Sequence, residues 1–204
     1  MDSCGCDSEA LALQRQQTRV LLVILAINAV MFVVEAGAGI AAGSSALLAD
    51  SLDMLGDALV YGFSLYVVAR SARWKAGSAL IKGLIQLGFG LSVLALTGYK
   101  LIHPALPVAE AITGVGVLAL AANAVCAALL VRRQHDDLNM NSVWLCSRND
   151  LIGNLAVIAA GVAVAVTQSP WPDLAVGFGI ALLFLKTSFG VIGRSVLELK
   201  HAGS

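Results

Sequence analysis

The chain has 204 residues, of which 58% are hydrophobic and 13% are charged. A mean hydropathy of +0.84 is far too high for a water-soluble domain of this length, so the composition predicts an integral membrane protein. The formal net charge is zero and no basic run is interleaved with aromatic residues, so we expect no nucleic-acid partner.

Six apolar segments follow one another, each about as long as the roughly 20 residues that a helix needs to cross the hydrocarbon core. The predicted spans are residues 19–42, 45–69, 77–102, 107–131, 142–168 and 172–197. The apolar runs are too long for transmembrane strands and do not alternate as such strands do. The sequence therefore predicts an all-α integral membrane protein with six transmembrane helices in residues 19–197. An N-terminal tail of residues 1–18 and a short tail of residues 198–204 are expected to flank them.

Basic residues in the loops predict the orientation of the chain. They cluster before or at the start of span one, between spans two and three, between spans four and five, and at the end of span six: Arg15, Arg19, Arg70, Arg73, Lys75, Arg132, Arg133, Arg194 and Lys200. The opposite loops carry only Lys100. Because basic loops stay preferentially on the cytoplasmic side, we expect an inner or plasma membrane protein with both termini cytoplasmic.

The N-terminal tail contains the motif "CGC", formed by Cys4 and Cys6. In a reducing cytoplasm these thiols are not expected to form a structural disulfide. Two interpretations stay open: the pair captures a soft metal ion, or it is an incidental feature of the tail.

Span two contains the run "LLADSLDMLGDALVYGF", with Asp50, Asp53 and Asp57 at positions i, i+3 and i+7 of one helical stripe. Charges inside a membrane are costly and usually face a partner, a cavity or an ion path. Span five contains "WLCSRNDLIGN", with Cys146 and Asp150 at i and i+4. If these faces meet, Asp53, Asp57, Cys146 and Asp150 supply three carboxylates and one thiolate. Such a set suits a tetrahedral divalent ion such as zinc or cadmium.

The other polar or small residues in the spans have less defined roles. Glu35 is interpreted as a proton relay or as an ion-pair partner of Arg148, with the ion pair favoured. Arg148 follows Cys146 by two positions and is expected to point away from the metal-binding face. Asp50 is expected to support the helices rather than bind the ion, and Cys126 to be a small packing residue. Six glycines are expected to permit close helix approach: Gly88, Gly90, Gly114, Gly116, Gly177 and Gly179.

The runs "GSSALLADSLDMLGD" and "DLNMNSVWLCSRNDLIGN" resemble the cation diffusion facilitator, or cation efflux, family of proton-coupled exporters of divalent metals. The resemblance covers the membrane region, including Asn28, Glu35, the Gly43-Ser44 turn and Asn123. In that family two residue pairs at four-residue spacing, in helices two and five, hold the metal. The resemblance assigns the first pair to Asp53 and Asp57 and the second to Cys146 and Asp150. Asp50, Glu35, Asn123 and Arg148 are further candidates for accessory residues or for a proton path.

Two departures from the family pattern shape the expected activity. Cys146 stands where a histidine is usual, and Asp53 where zinc-type members often carry one. Thiolate favours softer ions and paired carboxylates favour harder ones, so zinc fits best, with cadmium or another soft ion as the alternative. The second departure is the short C-terminus. Because the chain ends soon after span six, we expect a short member that lacks the cytoplasmic C-terminal domain and forms a homodimer through its membrane helices.

These features together predict a proton-coupled antiporter that exports a divalent transition-metal ion from the cytoplasm, without a resident cofactor. Metal and protons would compete for the same oxygens and sulfur. Two other function classes stay open. An intramembrane aspartyl hydrolase would use Asp57 and Asp150 as acid and base, although "MLGD" departs from the GxGD pattern of such proteases. A non-transporting membrane scaffold would use its charges as internal salt bridges.

Overall fold

A computed structural model describes the backbone of residues 3–67, 72–131 and 138–201, and the side chains of residues 18–62, 65, 77, 79–131, 147, 148 and 150–200. These residues form six α-helices and no strand: α1 Ser3–Ala42, α2 Ser45–Val67, α3 Ala72–Ile102, α4 Ala109–Val131, α5 Leu138–Thr167 and α6 Trp171–His201. Five of the helices are long and apolar enough to cross a membrane. The sixth, α2, carries three aspartates within 23 residues. The predicted six-helix, all-α membrane fold is confirmed.

The helices extend beyond the predicted spans at the polar ends. Helix α1 begins at Ser3 rather than at residue 19, α5 begins at Leu138 rather than at residue 142, and α6 continues to His201. The segment "EALALQRQQT" before the first apolar run consists mostly of residues with high helix propensity. The apolar sequence ends at these polar residues, but the helical backbone continues through them.

Alternating helix directions give the bundle two distinct ends. Because six helices are joined in sequence by short connections, α1 begins and α6 ends on the same side, which we call the terminus end. The connections at residues 43–44, 103–108 and 168–170 lie at the other side, the loop end. There the backbone amide of Val108 donates to the carbonyl of Ala42 at 3.0 Å.

Helix α2 occupies a central place in the bundle. The most extensive packing joins α1 to α2, α3 to α6 and α4 to α5, and α2 also contacts α3, α4, α5 and α6. One core cluster contains Tyr61 of α2 and Cys126 of α4, the latter only 1% exposed. The prediction that Cys126 is a buried packing residue is therefore confirmed.

Close helix approach occurs at half of the predicted glycines. A Cβ at Gly177 would lie 2.9 Å from the Cβ of Ser45, and similarly short contacts of 3.1 Å and 3.0 Å would arise at Gly90 and Gly116. The prediction is wrong for Gly88, Gly114 and Gly179, where an added Cβ meets nothing within 4 Å. Three close approaches were not predicted: Gly39, Gly83 and Gly161.

The loop end holds α2 against α6 through a buried carboxylate. Gly43 adopts a left-handed φ of 63°, and Ser44 precedes the first turn of α2. Asp173 of α6 accepts hydrogen bonds from the Ser44 hydroxyl and from the first two backbone amides of α2, at 2.7 Å and 3.2 Å for the amides. Lys100 of α3 donates to the Gly43 carbonyl at 2.8 Å. A carboxylate at a helix N-terminus satisfies free amides and complements the helix dipole.

Candidate metal site

The acidic stripe of α2 lies at mid-depth in the bundle. Asp57 follows Ser45 by 12 positions, which places it about 18 Å along the helix from the loop end. Its Oδ2 accepts a hydrogen bond from the Tyr61 hydroxyl at 2.9 Å, one turn further along the same helix. Because Tyr61 is only 1% exposed and packed in a core cluster, it fixes the orientation of the Asp57 carboxylate.

Helix α5 brings a second carboxyl group to the same place. The carboxyl groups of Asp150 on α5 and Asp57 on α2 lie close to each other. A hydrogen bond between two such groups would require a proton on one of them, since an ionised carboxylate only accepts. Asp53 interacts electrostatically with both Asp57 and Asp150. Three of the four predicted ligands are therefore neighbours, contributed by two different helices.

The carboxylates of Asp53, Asp57 and Asp150 are neighbours, but they do not form a coordination sphere for a metal ion. Among the side chains that the structure describes, no three His, Cys, Asp or Glu residues converge closely enough to hold a metal ion. The side chain of the fourth predicted ligand, Cys146, lies outside the described residues, as do those of Cys4 and Cys6. The assignment of the ligands, including the suggested metal capture by the N-terminal cysteines, stays a prediction.

The favoured ion pair between Glu35 and Arg148 is wrong. Glu35 of α1 is fully buried, and neither of its carboxylate oxygens has a hydrogen-bond partner among the described residues. Arg148 is exposed on the surface of α5. Opposite charges on different helices pair only when their faces meet, and these two face in different directions. Glu35 instead lies within electrostatic reach of Asp50 and Asp53.

Other accessory residues add polar groups to the interior. Asp50 is buried, and its Oδ1 lies 3.9 Å from where a Cβ on Gly153 of α5 would be. Its Oδ2, the Asn123 side-chain amide nitrogen and both polar atoms of the Asn154 side chain are buried without hydrogen-bond partners in the described part of the chain. Unpaired buried polar groups are costly, and such groups concentrate at functional sites.

A small cavity adjoins the acidic stripe between α2 and α3. It has a volume of about 50 Å³ and is lined by Asp53, Gly56 and Asp57 on one side and by Lys82 and Gln86 on the other. Lys82 donates from its Nζ to the backbone carbonyl of Val60 at 3.2 Å. Two of the predicted ligands therefore border a space that also contains a basic side chain.

Three residues at these sites were missed by sequence reasoning. Tyr61 follows Asp57 at i+4, a spacing that could have identified it as a hydrogen-bond donor. Asn154 follows Asp150 at the same spacing. No local signal identifies Asp173, because its hydrogen-bond partners are 127 to 129 residues away in the chain.

Comparison with known proteins gives a family match over most of the chain. Residues 21–199 match the model of the cation efflux transmembrane domain. The metal cation efflux system protein CzcD of Cupriavidus metallidurans is 25% identical over 197 residues, covering 87% of this chain and 62% of that protein. The zinc transporter ZitB of Pectobacterium atrosepticum is 27% identical over 193 residues, with coverages of 88% and 60%.

A third relative is the cadmium, cobalt and zinc/H(+)-K(+) antiporter of Bacillus velezensis. It is 22% identical over 193 residues, covering 87% of this chain and 61% of that protein. The chain thus spans about three fifths of the length of the curated relatives that it matches.

Proposed function

Because the chain belongs to the cation efflux family of membrane transporters, we propose that it exports a divalent transition-metal ion from the cytoplasm in exchange for protons. The observation that carries the proposal is the contact between Asp57 and Asp150, two carboxyl groups from different helices in the membrane interior, beside Asp53. In this proposal Asp53, Asp57, Cys146 and Asp150 bind the ion, which is the transported substrate.

Proton exchange follows from the chemistry of the Asp57 and Asp150 pair. Two carboxylates this close repel each other when both are ionised, so one of them is expected to hold a proton while the site is empty, and a divalent ion bound by both displaces that proton. Metal binding therefore releases a proton, and proton binding expels the metal. If the site opens to one side of the membrane at a time, a proton gradient drives metal out of the cytoplasm. Glu35 and Asp50, buried on the loop-end side of the site, are proposed to carry the proton path.

Zinc is the proposed substrate, with cadmium or another soft ion as the alternative. Two of the relatives are named as zinc transporters or antiporters, and one of these names also includes cadmium and cobalt. Carboxylate and thiolate donors together suit a borderline ion such as zinc, and the thiolate of Cys146 extends the range toward softer ions. No resident cofactor is needed for this activity.

The membrane arrangement is part of the same proposal. Basic residues of the terminus end, such as Arg19 and Arg194, support a cytoplasmic location for both termini in an inner or plasma membrane. Helix faces exposed to lipid, rich in large apolar side chains, are the surfaces through which a homodimer would form.

An intramembrane hydrolase is not the function that these findings favour. The contact of Asp57 with Asp150 is the geometry such a dyad would need, but the matched family consists of transporters and not of enzymes. A passive scaffold would satisfy its buried charges internally, whereas both oxygens of Glu35 and Oδ2 of Asp50 lack hydrogen-bond partners in the described structure.

The direct test is transport by the purified protein in sealed vesicles that contain a pH indicator. We expect a zinc gradient to drive proton movement in the opposite direction, and a proton gradient to drive zinc uptake. Asp150→Asn should abolish both movements, because it removes one ionisable partner of the pair. Glu110→Gln, which changes an exposed acidic residue at the start of α4, is the matched control. Unchanged transport by Asp150→Asn would contradict the proposed site.

A further inference from the structure

The cavity between α2 and α3 extends from the level of Asp53 to that of Val60, one turn beyond Asp57 toward the terminus end. Helix α2 runs from the loop end at Ser45 to the terminus end at Val67. Val60, whose carbonyl accepts the hydrogen bond of Lys82, is therefore one turn closer to the terminus end than Asp57. Lys82 is the lining residue of α3 nearest the terminus end, so an ion entering from that end would pass it before reaching the carboxylates.

Gly56 creates part of the open space. It lies between Asp53 and Asp57 on α2 and lines the cavity. A Cβ added at Gly56 would meet nothing within 4 Å, so the backbone of α2 borders an empty region rather than a packed neighbour. Gln86 of α3 adds a polar side chain to the opposite wall. The cavity therefore borders two of the proposed ligands, and apolar side chains complete its lining: Leu59, Val60, Ile85 and Phe89.

Lys82 adds a positive charge to the wall of this path. Its side chain is partly buried, and the hydrogen bond from Nζ holds the ammonium at the Val60 carbonyl, 3.2 Å away. A fixed positive charge in a low-dielectric surrounding repels a divalent ion at a neighbouring site more strongly than it would in water. Transport requires binding strong enough to capture the ion and weak enough to release it.

We propose that this cavity is the path by which the metal ion reaches Asp53 and Asp57 from the terminus end, and that Lys82 is a positioning residue whose charge weakens ion binding. The inference rests on the proposed function, because it assigns a role to residues around the same metal site. Lys82 tunes the affinity of the carboxylates without itself binding the ion, and Gly56 keeps the path open.

The charge effect is tested with substitutions that separate the charge of Lys82 from its hydrogen bond. Lys82→Gln keeps a hydrogen-bond donor and removes the charge, whereas Lys82→Arg keeps the charge. The matched control is Lys100→Gln, because Lys100 lies on the same helix and also donates to a backbone carbonyl, at 2.8 Å, but at the loop end. The probe is zinc chloride, titrated calorimetrically into the purified full chain in detergent micelles, with cadmium chloride as a second ion.

We expect Lys82→Gln to bind zinc at least about tenfold more tightly than the wild type, a change of about 1.4 kcal/mol. Lys82→Arg and Lys100→Gln should stay within about threefold of the wild-type dissociation constant. A purely structural role for Lys82 would leave the affinity of Lys82→Gln unchanged or lower it, and either result overturns the inference. If the wild type binds neither zinc nor cadmium, the proposed function itself fails, so the two failures are distinguishable.

The path itself is tested by filling it. Gly56→Leu places a side chain into a cavity of about 50 Å³, whereas Gly88→Leu adds the same side chain at an exposed glycine of α3 with open space. We expect Gly56→Leu to reduce the rate of zinc transport at least about tenfold while Gly88→Leu retains it. If Gly56→Leu does not fold, Gly56→Cys replaces it, with modification by a charged thiol reagent expected to be slowed by zinc. Wild-type transport by folded Gly56→Leu, or modification of Gly56→Cys that zinc does not slow, overturns the path.

Discussion

Replacing Asp173 should destabilise the bundle far more than its position near a helix start suggests. Its carboxylate accepts three hydrogen bonds at the loop end, from the Ser44 hydroxyl and from the first two amides of α2. Asp173 is only 1% exposed and Ser45 is fully buried, so the substitution leaves amides without partners in the interior. Hydrogen bonds to a charged group contribute about 1.5–3 kcal/mol each.

The contributions of these bonds are not additive, because all three share one carboxylate. We therefore expect Asp173→Ala to lower the free energy of unfolding by about 3–5 kcal/mol. Asp173→Asn keeps one carbonyl oxygen as an acceptor, so its loss should be about 1–2 kcal/mol. The assay is unfolding in mixed micelles of increasing denaturing detergent, followed by far-ultraviolet circular dichroism.

A double-mutant cycle with Ser44→Ala isolates the contact between the two helices. We expect a coupling energy of at least about 1 kcal/mol between Asp173→Ala and Ser44→Ala, because both variants remove the same hydrogen bond. Glu110→Ala, an exposed acidic residue in the first turn of α4, should cost less than about 1 kcal/mol. If Asp173→Ala lowers the free energy of unfolding by less than about 1 kcal/mol, Asp173 does not stabilise the start of α2 as its hydrogen bonds indicate.

Three further outcomes are expected from substitutions elsewhere. Tyr61→Phe removes the hydrogen bond to Asp57 and should weaken zinc binding about 10- to 100-fold, measured by calorimetric titration; unchanged affinity would contradict an orienting role. Cys146→Ser should reduce cadmium transport more than zinc transport in vesicles, because a hydroxyl is a harder donor than a thiolate, and equal losses would count against Cys146 as a ligand. Gly177→Leu should lower the free energy of unfolding by at least about 2 kcal/mol in detergent, because a side chain at Gly177 meets Ser45. Gly179→Leu should leave it unchanged, because a side chain there meets open space. Equal stability of both variants would contradict this packing.

The number and order of the helices could be predicted because membrane-spanning length and apolar composition are local properties of the chain. The helix ends could not be predicted by hydropathy alone, since α1 begins at Ser3 in a polar segment that is nonetheless a good helix former. Glycine spacing identified the contact at Gly177 but also suggested one at Gly179, which meets open space. Whether a small residue faces a neighbour depends on helix rotation, which the spacing of glycines does not specify.

The site could be predicted in part for a similar reason. Helical periodicity places Asp53 and Asp57 on one stripe, but periodicity alone does not show that α5 brings Asp150 to them. The expected pairing of Glu35 with Arg148 is wrong because Glu35 is buried in the bundle, whereas Arg148 is exposed on the surface of α5. The cap formed by Asp173 depends on the tertiary contact of α6 with α2, and no local pattern encodes it.

Exchange of metal for protons at the Asp57 and Asp150 pair can be measured directly. Zinc is added to the purified protein in a weakly buffered detergent solution, and proton release is followed with a pH indicator. We expect proton release by the wild type and by Glu110→Gln, its loss in Asp57→Asn/Asp150→Asn, and tighter zinc binding at higher pH. Zinc binding without proton release, or equal release by the double variant, would contradict it.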